Sequence, residues 1–285
     1  MSVPEYVRSC LKYLEEEDTR KIEYFNSKYH KQIDKINFEK FITTKTKELA
    51  KKETGIKFML NNRKDQELKE IYQLVSKEPT SLKSITDELD PYIREKGEEL
   101  NQNKDISRDP KLLIPELIKL KISIDNLVMF AFDGTMLFET CKKNAFSAFL
   151  NKTIYQKQIA NYCDYEMRAG IRGNSDAQIE EKMNNITNIF KCMLSKETFI
   201  LEYSKRLGDR LLSNKSQSIT HEKNLISRMK NEFGISNVSR ITRKMEDLEI
   251  SKAEMDVYRQ EPHRVFIYFF NLIYLKILYF RKYFI

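Results

Sequence analysis

The 285-residue chain has no tryptophan, and glycine (7), proline (6), cysteine (4) and histidine (3) are all scarce. Each shortage excludes something. With so few turn formers, a fold of many short strands is disfavoured, and long helices joined by short loops are expected. The cysteines, Cys10, Cys141, Cys163 and Cys192, are scattered without a C-x-x-C pair, and His30, His221 and His263 stand alone. That spacing offers neither a disulfide framework nor a zinc site, so reduced thiols and no metal are expected. The sequence also lacks a G-x-x-x-x-G-K-[ST] phosphate loop, a G-x-G-x-x-G dinucleotide turn and a G-x-S-x-G nucleophile elbow. No His, Cys or carboxylate stands in an acid–base motif, so the chain is expected to be non-catalytic and to use no cofactor. Its first residues, "MSVPEYVRSCLKYLEEEDTR", become charged where a secretory signal needs an apolar stretch, and a reducing cytoplasmic or nuclear setting is expected.

What is present is charge and a large apolar supply. Charged residues make up 32% of the chain and apolar ones 41%, enough for a sizeable core, and the abundant Lys and Glu are good helix formers. The surplus of +8 is spread along the chain rather than gathered in a tail. It would support salt-sensitive contact with phosphates, but no nucleic-acid-binding signature accompanies it.

Apolar residues recur at helical spacing throughout. A first helix is predicted from Ser2 to about Asn26, with Val7, Leu11 and Leu14 on one stripe, Glu16 and Glu17 spaced to pair with Arg20, and a solvated charged face with a half-buried Tyr24 expected ahead of a cation-π contact between Arg20 and Tyr24. A second stretch covers about Gln32 to Leu60, and a third, Gln66 to Lys77, carries Leu68, Ile71, Tyr72 and Val75. Ser81 to Gly97 follows, with Asp90-Pro91 as a candidate kink and Gly97 as a stop. After a polar loop at Asn101 to Pro110, a long face runs through Leu113, Leu117, Leu120, Ile124, Leu127 and Val128 to a turn at Asp133-Gly134. Further helices are predicted at Phe138 to Asn151, at Thr153 to Gly170, after the capping box Ser175-x-x-Gln178, from near Ser195, at Ser216 to Phe233, and at Ser239 to Asp247. The expected architecture is all-α, an elongated rod of helical bundles.

In "FILEYSKRLGDRLL", Phe199, Tyr203, Leu207 and Leu211 step by four, while Lys205, Arg206, Asp209 and Arg210 read as flanks. With the preceding "KET", this stretch resembles the signature helix of the cullins, matched by Lys196, Phe199, Tyr203, Leu207, Arg210, Leu211 and Leu212. Gly208 stands where the family has Ala, which costs a helix up to about 1 kcal/mol. The resemblance extends to "SQSITHEKNLISRMKNEFG" through Ser216, Ser218, Glu222, Ile226, Ser227, Lys230, Glu232 and Gly234, and to "IANYCD" through Cys163 and Asp164. "AFSAFLN", ending at Asn151, is similar to the close of the last cullin repeat. Leu14, Glu17, Arg20 and Tyr24, and then Leu68, Tyr72 and Leu74, fit earlier repeat positions.

The resemblance implies a partial cullin-repeat region over 1–152 and the start of a carboxy-terminal helical bundle over 153–258, leaving 259–285 as an apolar tail outside the family pattern. It implies a non-catalytic scaffold of a multisubunit ubiquitin ligase, whose family partners are a substrate adaptor, a RING-box protein and a ubiquitin-conjugating enzyme. It further implies that Lys205, Arg206 and Arg210 belong to a basic face for the conjugating enzyme. By that comparison the adaptor-binding first repeat and the RING-gripping and modifier-accepting segments are expected to be missing. The run 265–285, "VFIYFFNLIYLKILYFRKYFI", has near-membrane length, but Asn271 and Lys276 interrupt it, and a central Lys costs about 2.5–3.5 kcal/mol on insertion. It reads first as a translated intron or misjoined gene end, ahead of a membrane anchor or a buried segment. A basic helical nucleic-acid binder and a membrane-anchored helical protein stand as the alternative functions.

Overall fold

The computed structural model describes residues 2–43, 53–77 and 79–259. They are helical almost throughout, with no strand among the described residues. In chain order the helices are α1 (Val3–Tyr24), α2 (Ser27–Phe38), α3 (Ile56–Asn61), α4 (Asp65–Val75), α5 (Lys83–Gln102), α6 (Lys104–Ser107) and α7 (Pro110–Ala131). They continue as α8 (Met136–Leu150), α9 (Thr153–Tyr165), α10 (Asp176–Phe190), α11 (Glu197–Leu212), α12 (Ile219–Phe233) and α13 (Ile235–Arg259). Single π-helical turns extend α2 at Glu39–Thr43 and α9 at Glu166–Gly170.

The local chemistry explains most boundaries. Ser2 and Glu5 form a reciprocal capping box at the head of α1, and Ser175 and Gln178 form the predicted one at α10. Asp109 caps α7 by accepting from the Lys111 N–H at 2.8 Å, with Pro110 in the first turn where its missing donor costs nothing. Asp133 (φ 51°) and Gly134 (φ 59°) make the expected turn out of α7 in left-handed conformations. Beyond it Phe132 stacks on Phe138 at 4.2 Å, and Tyr72 meets both rings edge-on at 5.8 Å.

Four expectations are corrected. The stretch from Gln32 to Leu60 is not one helix: α2 ends in a π turn, and an extended Gly55 heads a separate α3, with 44–52 outside the described residues. Pro91 does not divide α5, because Ile85, Leu89, Tyr92 and Ile93 bury one continuous face against neighbouring helices on both sides of it. Gly97 is no stop either. It lies inside α5 where a β-carbon would overlap the Phe149 ring, so glycine is there for close helix approach. The last helix is far longer than Ser239 to Asp247, running from the sharp corner at Gly234 (φ 86°) to Arg259 and burying Val238, Ile241 and Met245. As for Arg20, it pairs with Glu16 and Glu17, leaving Tyr24 turned to solvent.

The helices pack in relay. α1 lies on α4, α4 on α7, α5 on α8, α7 on α9, α9 on α11, and α11 on α13. A single apolar cluster therefore runs from Val3 to Met245. Its stripes are the predicted ones, with Leu68, Ile71, Tyr72 and Val75 buried on α4, and Leu113, Leu117, Ile124, Leu127 and Val128 on α7. Gly97→Ala should lower stability by about 1–3 kcal/mol through overpacking against Phe149, read as a fall in thermal midpoint. Phe149→Leu in the same chain should recover part of that loss, whereas additive losses would show that the close approach is not the cause.

Candidate functional site

Three segments singled out by their residues, "IANYCD" on α9, the α11 helix and "SQSITHEKNL" leading into α12, meet at one point inside the bundle. At its centre lies Arg210, wholly buried. Its guanidinium is bidentate on Glu222, with Nε 2.6 Å from Oε1 and Nη2 2.8 Å from Oε2, and its Nη1 is paired with Asp164. The Tyr203 hydroxyl lies 3.3 Å from both Arg210 Nη2 and Glu222 Oε2, and the Ser216 hydroxyl donates to Glu222 Oε1 at 2.8 Å. Arg168, at the rim, donates to the other Asp164 oxygen at 2.8 Å. The result is an alternating chain, Arg168–Asp164–Arg210–Glu222, in which two cations face two anions.

Burial alone would lower the pKa of Arg210, but the hydrogen bonds to Glu222 and the surrounding negative charge outweigh it and hold the guanidinium ionised. Burial pushes Cys163, beside Asp164, well above an ordinary thiol, and pushes Cys141 up to about 11, with Asp90 adding to the effect. Neither is a poised nucleophile. All four cysteines are free, and no cluster of His, Cys, Asp and Glu suited to a metal occurs among the described residues.

A second polar clasp sits where α8 hands over to α9. Ser147 donates to the Cys192 carbonyl at 2.5 Å, and Asn151 Oδ1 accepts from the Leu194 and Ser195 N–H groups at 3.1 and 2.9 Å. Gln156 Oε1 accepts from the Phe199 N–H at 3.0 Å. The link into α11 is thereby held by side chains of α8 and α9. Glu197 completes the entry, accepting from the Ser195 hydroxyl and the Lys196 N–H, which holds its carboxyl below the usual range.

The sequence-derived basic face is divided by this geometry. Arg210 is not on the surface: it sits seven residues after Tyr203 and three after Leu207, on the face that α11 buries, and its charge is spent internally. Lys205 is exposed with only a 3.9 Å approach to Glu202, and Arg206 is half-buried with its Nε unpartnered. Ser147, Gln156 and Arg168 went unrecognised as organising residues, although the first two sit at a helix end where polar side chains meet unpaired backbone groups.

Every residue of the Arg210 cluster except Arg168 is one of the matches on which the sequence resemblance rests. The family model for the cullin alpha solenoid domain matches residues 1–255. The chain belongs to the cullin family. It is 27% identical over 260 residues to human Cullin-4A, covering 90% of this chain and 34% of that protein, and the mouse Cullin-4A matches to the same extent. Cullin-3A of Arabidopsis thaliana is 26% identical over 253 residues, 88% of this chain and 35% of that cullin. The chain thus spans about a third of the length of these curated cullins. The comparisons lend no support to a nucleic-acid-binding or membrane-anchored function. No helix among the described residues is long and apolar enough to cross a membrane, and the apolar run 265–285 lies outside them.

Two outcomes follow from this geometry. Arg210→Met should cost about 3–5 kcal/mol in urea unfolding, because Glu222 is left buried and uncompensated, and the Arg210→Met/Glu222→Gln double variant should lose less than the sum of the two single changes. In iodoacetamide labelling near neutral pH, Cys163 and Cys192 should stay unmodified in the folded chain and react once it is unfolded.

Proposed function

We propose that this chain is part of a scaffold subunit of a cullin–RING ubiquitin ligase, supporting ubiquitin-dependent protein degradation in the cytoplasm or nucleus. The observation that carries the reading is the Arg210–Glu222–Asp164 cluster, which unites in one place the residues of three separate family motifs. In this reading 1–152 is the repeat region and 153–258 the start of the carboxy-terminal bundle, and the two serve to hold partners in fixed relation. A RING-box protein and a ubiquitin-conjugating enzyme are the partners the family implies. The chain performs no bond chemistry; its contribution is position, which converts a bimolecular encounter into a local one.

Within that proposal, Lys205 and Arg206 form the basic edge that attracts an acidic segment of the conjugating enzyme, while Arg210 holds the helix beneath them in place. Exposed charges of this kind act on association more than on final affinity. Stopped-flow mixing of the chain with an acidic-tailed conjugating enzyme tests it. Lys205→Glu/Arg206→Glu should slow association by about tenfold at low salt and leave it nearly unchanged at high salt, where such steering is screened. An equal rate for the parent and the double variant at low salt would remove the assignment.

A further inference from the structure

α2 differs from the long helices around it. Every other helix of eight residues or more contributes fully buried side chains, and α2 contributes none. It leans on α1 through Ile33, Asn37 and Phe38, which are half-buried, and through the Lys21–Asp34 ion pair. Its opposite side is open and has a composed pattern. Lys28, Lys31 and Lys35, at i, i+3 and i+7, form one exposed stripe, and Tyr29 and Ile36, seven residues apart, form an exposed apolar stripe beside it. At the corner with α1, Tyr24 (71% exposed) and Phe25 (51%) extend the apolar strip.

The charges on this side are unbalanced. Among the described residues none of the three lysines has a carboxylate partner, and Lys28 lies instead over the Tyr29 ring at 4.8 Å. On the neighbouring end of α1 the cations are matched, Arg20 by Glu16 and Glu17, and Lys21 by Asp18 and Asp34. A surface with cations at helical spacing, flanked by aromatic and aliphatic side chains, is complementary to a helix with the inverse pattern. From this we infer that the outer face of α2 is a docking surface for an acidic amphipathic helix of a partner protein, its carboxylates on Lys28, Lys31 and Lys35 and its apolar edge on Tyr29 and Ile36. Three lysines fall short of the cluster of about four to eight that recognises an anionic membrane, and the exposed Glu23 at the same corner interrupts the continuous positive field that a lipid surface or nucleic acid needs, whereas a helix with its carboxylates in one stripe meets the lysines alone.

The surface lies on a different helix from the α11 edge, so it can be tested apart from any ligase partner. The probe is a synthetic helical peptide with Glu at i, i+3 and i+7 and Leu along one flank, titrated against the full chain by fluorescence anisotropy. Saturable, salt-sensitive binding is expected, weakened about tenfold by Lys28→Glu/Lys31→Glu/Lys35→Glu, since exposed pairs are individually small. Tyr29→Ser/Ile36→Ser should weaken it as well without lowering the thermal midpoint, because neither side chain is in the core, and Lys205→Glu/Arg206→Glu should leave it unchanged. Equal binding by the parent and both α2 variants would overturn the proposal. So would failure of the peptide to bind while phosphatidylserine vesicles or a single-stranded oligonucleotide bind in a manner the lysine reversals abolish.

Discussion

A guanidinium with no access to water imposes a strict condition on everything around it. Arg210 must find carboxylates in correct geometry, and it finds them on two other helical segments, Asp164 at the end of α9 and Glu222 in the first turn of α12. An apolar side chain of similar volume could fill the same space, and in energetic terms alone such a replacement is often neutral or favourable. What the ion cluster adds is direction. A leucine tolerates small rotations and slides of the helices that surround it, whereas only one register of α9, α11 and α12 satisfies Asp164, Tyr203, Ser216 and Glu222 together. The clasp of Ser147, Asn151 and Gln156 does for the entry of α11 what Arg210 does for its exit, so the helix is pinned by polar contacts at both ends and by Phe199, Tyr203 and Leu207 between them.

The helices were legible because their apolar residues recur at the helical period, and on α4 and α7 the predicted stripes are the buried ones. The boundaries that differ do so because local preference yields to packing, or because burial and helix do not end together. Pro91 and Gly97 are breakers by intrinsic preference, yet α5 continues through both, since preferences of about 1 to 3 kcal/mol are overridden when a helix is buried along its length. Gly97 is set by Phe149, a residue distant in sequence, and no local rule shows such a pairing. The end of α13 was misplaced because its outer half is polar, and polarity was taken as the end of the helix rather than of its burial.

At the site, the residues were recognised but one was read in the wrong place. Arg210 was grouped with Lys205 and Arg206 as a surface cation because of its charge, although its position three residues after Leu207 puts it on the inward face. The period was the better guide than the residue type. Among buried charges this is the general hazard: a long basic side chain is assumed to reach water, and only the positions of distant carboxylates reveal that it does not.

The distinction bears on how the net charge of +8 is used. Around the Arg210 cluster the cations are matched, Arg168 and Arg210 by Asp164 and Glu222, and Lys182 by Glu166, while the buried Lys244 donates to the Ser204 carbonyl. Among the described residues, exposed positive charge includes the lysines of α2 and Lys205 at the edge of α11. Between these two faces stand α1, α4, α7 and α9, packed one on the next. Screening at physiological ionic strength acts over about 8 Å, so the field of one exposed face is damped before it reaches another across several layers of helix. Under the two proposals each face would act on its own partner, and any influence of one on the other would have to pass through the packed relay of helices rather than through the field.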